Sequence, residues 1–381
     1  MTTVDLPMPA IPAKGGDGYG HARMPRRKDV PETELIDKIA YGRFRNLYLY
    51  ITEACQLRCE HCYMGERLER ALKLTLPQIV TTLETWRRMG SSKLTILGGE
   101  PTTHPDFIDS IRLARKMGFE DVITTTNAQK PAAKKFAQME PADFAYVQVS
   151  LDGGSAGTND AIRGPGTFDT ALETCAQIAE RGFDVRIICT VNKANEGDAL
   201  DLLRIADEVG VSLVKFHVFS TIGAGHGNAD MAMTPPEWVE FCDRLAQAAP
   251  EYKTKAWYQP TYTRRDQMER YAAEGYQGCI GRTLDRISVF PDGRAYVCSY
   301  LFDTDLHFAN MVDGQVRINT GANEFDLFTK PLSTFSCGGC KAAACLGGCP
   351  AEEVVMGASS CDTYEDIVPV CRLWKSSAKP E

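Results

Sequence analysis

The chain has no positive charge to spare and no long apolar run. Among 381 residues, 50 acidic side chains outweigh 42 Lys and Arg, giving a formal net charge of −8. That balance excludes a broad surface for nucleic-acid phosphates, although it leaves room for a local basic pocket. No apolar stretch approaches the length that crosses a bilayer. Residues 1–30 hold Pro, Gly and the basic cluster Arg23, Arg26, Arg27 and Lys28, without the apolar core of a signal peptide. Residues 1–44 read as an N-terminal extension, partly disordered. These absences together predict a cytoplasmic protein that partners neither nucleic acid nor membrane.

Cysteine, by contrast, is plentiful at fourteen. Reducing compartments make structural disulfides rare, so metal or cluster binding is favoured over a disulfide framework. Cys175, Cys189 and Cys242 lie inside apolar-periodic stretches and read as small buried hydrophobes. The others form two groups. The first is Cys55-Gln-Leu-Arg-Cys59-Glu-His-Cys62, just after the apolar run Leu47-Tyr-Leu-Tyr-Ile51. A four-iron cluster takes four ligands, usually thiolates. A loop supplying three leaves one iron open to a small molecule, much as catalytic zinc sites keep a position vacant. A zinc knot completed by His61 or His104 is the alternative.

Apolar periodicity predicts helices near 76–89, where Ile79, Val80, Leu83 and Trp86 share a face, and near 107–114, 130–139, 168–181, 198–209 and 235–248. Strands are predicted at 46–52, 94–97, 122–126, 146–151, 185–191 and 213–219. Strands alternating with helices imply an α/β fold with a parallel sheet. Six units are too few to close an eight-stranded barrel, so residues 45–250 are expected to form an open, partial (β/α)6 barrel. Functional residues then gather at the carboxyl ends of the strands. The cysteine loop follows the first strand, Gly98-Gly99-Glu100-Pro101 the second, and Thr125, Thr126 and Asn127 the third. Ser150 and Asp152 follow the fourth, Asn192 the fifth. Paired glycines let a ligand approach the backbone, and Glu100 can accept from a cationic amine. Alone, the turn reads equally well as a plain surface turn. His217 and His226 are candidate pocket residues, each also readable as an ordinary core or loop histidine.

Through Cys55, Cys59 and Cys62, with Gly98–Pro101 one strand later, the chain resembles the radical S-adenosylmethionine (SAM) enzymes over about residues 45–230. The resemblance implies that SAM chelates the open iron of a 4Fe-4S cluster through its amino and carboxylate groups. Gly98, Gly99, Glu100 and Pro101 would hold the methionine amine, with Thr125, Asn127 and Ser150 near the carboxylate and ribose. One electron would cleave SAM to a 5′-deoxyadenosyl radical, which takes a substrate hydrogen. His61 stands where the family often places an aromatic and is expected to pack rather than ligate.

Past residue 250 the alternation stops, and residues 251–381 are expected to form a cysteine-rich domain. Ile287–Cys298 reads as a β-hairpin turning at Asp292-Gly293. Cys279, Cys298, Cys337, Cys340, Cys345, Cys349, Cys361 and Cys371 can complete two metal sites, two structural zincs being the alternative. This part resembles the SPASM extension of radical SAM enzymes, which carries two auxiliary 4Fe-4S clusters. Carried over, the pattern assigns Cys279, Cys298 and Cys349 to auxiliary cluster I and Cys337, Cys340, Cys345 and Cys371 to auxiliary cluster II. The chain departs from that pattern in two ways. Four residues rather than five separate Cys340 from Cys345, and no extra cysteine follows shortly after Cys279. Cys361 is the candidate for the missing place, or else a free thiol able to return a hydrogen atom.

The resemblance implies an oxidoreductase or maturase that crosslinks or dehydrogenates a peptide, drawing electrons from a donor such as flavodoxin or ferredoxin. The roughly 45 residues before the first strand are too few for a leader-binding winged helix. A separate leader-peptide-binding protein is one expectation, and a substrate that needs none is another. The alternative is a dehydrogenase or epimerase of an aminocyclitol or nucleoside sugar. From a different class comes a non-enzymatic zinc-binding module.

Overall fold

The computed structural model describes residues 44–258, 261–267, 285–302, 304–312, 314–319, 321, 323–324 and 366–369. Strands β1 (Asn46–Thr52), β2 (Lys93–Gly98), β3 (Asp121–Thr126), β4 (Tyr146–Ser150), β5 (Val185–Val191) and β6 (Leu213–Val218) pair in parallel in chain order. The expected helices lie between and after them: α2 (Leu76–Arg88), α3 (Phe107–Lys116), α4 (Lys130–Phe136), α6 (Thr167–Glu180), α7 (Asp201–Val209) and α8 (Pro235–Ala248). Two of them begin where a capping box dictates. Thr75 and Gln78 bond reciprocally before α2, and Thr234 and Glu237 do so before α8. Among the described residues, no helix is long and apolar enough to cross a membrane.

Burial along β5 alternates strictly. Val185, Ile187, Cys189 and Val191 are fully buried in the helix-covered core, while Arg186, Ile188 and Thr190 are partly exposed. A parallel sheet with helices on both faces is apolar throughout. Alternation therefore marks a sheet with helices on one face and an open bore on the other. The strand order runs linearly from one edge to the other, so the barrel is open as expected.

Two features lay outside the sequence reading. Helices α1 (Arg67–Arg70) and α5 (Ala156–Arg163) are additional, and the sheet continues past residue 250. Strand β7 (Lys255–Tyr258) adds a seventh parallel strand beside β6, and β9 (Arg286–Val289) pairs in parallel with β1 on its other side. Strand β9 turns through residues 290–293 into β10 (Arg294–Tyr296), the predicted hairpin, with Gly293 at φ +82°. Strands β11 (Ala309–Val312) and β12 (Gln315–Ile318) extend that edge antiparallel, while β8 (Tyr262–Arg264) and β13 (Ile367–Pro369) form a separate pair.

A buried ion cluster pins the hairpin to the barrel. Arg67 donates to Glu53 at 3.2 Å, to Asp292 at 3.4 Å and to the Phe302 carbonyl, and its guanidinium lies 4.5 Å from the Phe290 ring centre. Arg70 donates to both Glu53 oxygens, at 3.1 and 2.9 Å, and to Asp292 at 2.8 Å. Glu53 has no exposure at all, so removing Arg67 strands much of a buried negative charge. Arg67→Ala is expected to cost about 3–5 kcal/mol, read as a lowered Tm. Adding Glu53→Gln should recover part of the loss. Identical melts for the single and double variants would show that the charge is not the cause.

Candidate active site

The cysteine loop leaves β1 and is fastened at once to the turn after β2. Gly99 N donates to Thr52 O and Glu100 N to Ala54 O, both at 2.8 Å. A Cβ on Gly98 would lie 2.6 Å from Thr52 O, and one on Gly99 would lie 2.5 Å from Glu53 O and 2.6 Å from Ala54 O. Glycine is thus required here for backbone-to-backbone docking of the two loops, a role that the ligand-approach reading did not foresee. Pro101 opens a short 3-10 turn, Pro101–Thr103, and is buried. On its far side, the cysteine loop is held by Ala224 N donating to Cys62 O at 2.9 Å and Glu60 N donating to Ile162 O at 3.0 Å.

Glu100 is buried and accepts four hydrogen bonds. Its Oε1 receives Thr102 N at 3.1 Å, Thr102 Oγ1 at 2.6 Å and Thr126 Oγ1 at 2.8 Å, and its Oε2 receives Asn127 N at 2.7 Å. The carboxylate therefore laces the end of β2 to the end of β3. Each carboxylate oxygen offers about two lone-pair sites, so Oε1 is fully engaged and Oε2, with one donor, can accept another. Asn127 also reaches the loop: its Nδ2 lies 3.7 Å from Cys55 Sγ, and its Oδ1 accepts from Gln56 at 3.0 Å. Thr125 accepts from Gln148 at 2.9 Å. Ser150 ends β4, half-buried.

Cys55, Cys59 and Cys62 are partly exposed free thiols. Burial pushes the Cys55 thiol up to about 12 and the Cys59 thiol up to about 11, with Arg163 pulling the latter back. Metal must therefore displace protons to bind. Among the described residues, no three His, Cys, Asp or Glu side chains are gathered onto one point for a single ion. A four-iron cluster asks for a different layout, since each iron takes its own thiolate. Three thiols spaced along one loop, with a cation beside Cys59, fit that group.

That cation is Arg163, which sequence reasoning missed because α5 carries almost no apolar stripe. Its NH1 lies 4.0 Å from Cys59 Sγ and its Nε 2.5 Å from Asp152. Asp152 is fully buried, lies 2.5 Å from His61 Nε2 and accepts from Thr190 N at 2.7 Å. Burial opposes its ionisation, but Arg163 and His61 together hold the carboxyl well below its usual range. His61 is thus a hydrogen-bond partner of the buried Asp152, a polar role in place of the expected packing. His104 is committed elsewhere, with Nε2 on Leu74 O at 2.8 Å and Nδ1 accepting from Asp106 N at 3.1 Å, leaving neither nitrogen for zinc. Asp152→Asn is expected to lower stability by about 2–3 kcal/mol, the worth of a charged hydrogen bond lost from a buried site. A thermal melt at neutral pH checks this, and an unchanged Tm would remove Asp152 as the anchor of Arg163.

Of the distal cysteines, Cys298 alone lies among the described residues. It is buried, and Glu324, itself fully buried, accepts from Val297 N at 2.6 Å and Cys298 N at 2.9 Å. A cluster of aromatic rings links Tyr63, beside Cys62, to Phe302, four residues past Cys298. The Tyr63 and Tyr50 hydroxyls are 3.0 Å apart, Tyr50 stacks on Phe290 at 4.2 Å, and Phe290 meets Phe302 at 4.5 Å. Cys279, Cys337, Cys340, Cys345, Cys349, Cys361 and Cys371 lie outside the described residues. Asn192 is buried and accepts from Ala194 N at 2.8 Å, a loop-shaping contact. His217 lies on β6 against Trp257, whereas His226 is exposed on the loop after β6.

Residues 49–206 match the family described as the Radical SAM superfamily. The chain is 29% identical over 339 residues to mycofactocin maturase MftC of Mycobacterium ulcerans (strain Agy99), covering 85% of this chain and 88% of that one. It is 28% identical over 267 residues to the AdoMet-dependent heme synthase of Methanosarcina barkeri (strain Fusaro / DSM 804), covering 66% and 75%. In fold it is similar to Streptococcus suis SuiB bound to precursor peptide SuiA. The TM-score is 0.61 at 16% identity, over 91% of this chain and 78% of that one.

Proposed function

Because the chain belongs to the radical SAM superfamily, we propose that it is a maturase that oxidatively modifies a peptide. Membership brings SAM and a four-iron cluster, which when bound supply hydrogen-atom abstraction by reductive cleavage of the sulfonium. The observation carrying the reading is the docking of the Gly98-Gly99-Glu100 turn onto the backbone of the three-cysteine loop. Cys55, Cys59 and Cys62 would each hold one iron. Spare capacity on Glu100 Oε2 and the two glycine carbonyls would take the methionine amine, with Thr125, Asn127 and Ser150 toward the carboxylate and ribose. Asp152 aims Arg163 at Cys59, placing positive charge beside an anionic cluster.

The peptide comes from the relatives: one is named a maturase, and another was captured with a precursor peptide. Cys279, Cys298 and Cys349, with Cys361 as the candidate fourth ligand, and Cys337, Cys340, Cys345 and Cys371 would hold two auxiliary clusters, able to accept an electron from a substrate radical and make the outcome a net oxidation. The haem-synthase relative keeps a small-molecule substrate as the second reading. One experiment tests the set. Anaerobically reconstituted protein should carry about twelve irons, release 5′-deoxyadenosine on reduction, and change the mass of a peptide in an extract of its source cells. A product of unchanged mass would overturn oxidation in favour of epimerisation, and a colourless zinc protein would sink the enzyme.

A further inference from the structure

The bore face carries positive charge for which the reading above has no use. In-register partners point to the same side of a sheet. Pairings Gln148↔Arg186, Ile188↔Lys215 and Lys215↔Trp257 therefore put Gln148, Arg186, Lys215 and Trp257 on one face. That face also carries Tyr48 with Ser288, and Asn46 with Arg286. Lys215 Nζ donates to Gln148 Oε1 at 2.6 Å and lies 5.1 Å from the Tyr146 ring centre. The Arg286 guanidinium lies 5.0 Å from the Tyr48 ring centre. Its Nε is buried without a hydrogen-bond partner, as is the hydroxyl of Ser288, which is 1% exposed. Two residues along β6 from Lys215 is His217, whose imidazole is held down at about 4 by burial and by the Lys215 and Arg286 cations, and so is neutral.

The carboxylates near this face are already taken. Asp121 pairs with Lys93 at 2.8 Å, and Asp184 pairs with Arg186 at 2.6 Å, both at the amino-terminal rim. Glu324, whose carboxyl feels the Arg286 cation, is spent on Val297 N and Cys298 N, and among the described residues neither Lys215 nor Arg286 forms an ion pair with a carboxylate. Two cations on one partly buried face, each beside an aromatic ring, are stabilised by an arriving anion.

We propose that this face seats a carboxylate of the substrate, held between Lys215 and Arg286 with Ser288 as a neutral donor, while the adjoining apolar part lies against Tyr146 and Trp257. Only the carrier of the carboxylate, a peptide, rests on the maturase reading. The seat itself does not.

The probes are glutarate and its uncharged diamide, glutaramide, applied to reconstituted, SAM-loaded protein. The readout is acetylation of Lys215 by acetic anhydride, located by mass spectrometry, with exposed Lys130 as internal control. The Lys215 amine, lowered to about 8 by burial and Arg186, is reactive near neutral pH. Glutarate should slow its labelling about tenfold, as charge-assisted bonds would, and glutaramide should not. Arg286→Gln should abolish the difference without changing the melting curve. Equal slowing by the two probes, or none by glutarate, overturns the seat. The assay needs no turnover, so protection of Lys215 in a protein that modifies no peptide would sink the maturase reading and leave the seat standing.

Discussion

Protein with alanine at Cys55, Cys59 and Cys62 releases no 5′-deoxyadenosine from SAM and holds about four irons fewer than the parent. Both expectations follow from placement. The three thiols sit on one loop, closed on one side by the turn after β2 and on the other by Ala224 and Ile162, and on the proposed reading they are the ligands of the SAM-binding cluster. Alanine at Cys337, Cys340 and Cys345 should instead leave uncoupled SAM cleavage measurable while product formation stops. The assay is anaerobic turnover with dithionite, following 5′-deoxyadenosine and substrate mass in parallel. Equal loss of cleavage in both sets of variants would mean that the two groups of cysteines do not divide the work as proposed.

Gly99→Ala should be nearly as damaging while adding a single methyl group. Its Cβ would lie 2.5 Å from Glu53 O and 2.6 Å from Ala54 O. Both are backbone atoms that cannot swing aside as a side chain would. Either the turn lifts off the cysteine loop or the loop shifts, and misplacement by about 1 Å at a reacting centre costs on the order of 10²-fold. The expected result is that loss in the rate of 5′-deoxyadenosine release with most of the iron retained. Gly197→Ala, where an added Cβ meets nothing within 4 Å, is the control. Matching rates for the two variants would show that the docking of the turn does not set the geometry of the site.

The alternation of strands and helices was legible because each helix turns an apolar stripe toward the sheet, as Ile79, Leu83 and Trp86 do from α2. Helix α5 was not legible. Only Asn159 and Ile162 are buried on it, too few to make a period, and Arg163 was hidden along with it. The three-cysteine loop and the Gly-Gly-Glu-Pro turn could be read directly. Their mutual docking could not, since it depends on Thr52 and Ala54 lying opposite the turn. Likewise the four bonds to Glu100 come partly from β3, and the partners of Asp152 come from a loop, a helix and β5. The bore did leave a trace in the sequence: Arg186 and Thr190 on β5, and Lys215 and His217 on β6, fall on one face of otherwise apolar strands, the mark of a sheet open on that face. The pairing of β9 with β1 left none, because no local pattern records a partner so far along the chain.

That pairing has a consequence for how the protein is made. Arg45 and Asp285, bonded at 2.7 Å beside the β1–β9 ladder, are 240 residues apart. At about 5–20 residues per second, the ribosome leaves the outer flank of the first strand bare for roughly ten seconds to nearly a minute. Throughout that wait the nascent chain displays an unpaired, largely apolar ribbon with cysteines at its tip, open to sticking and to oxygen. Synthesis in cells should therefore reward slow growth, low oxygen and a chaperone on hand.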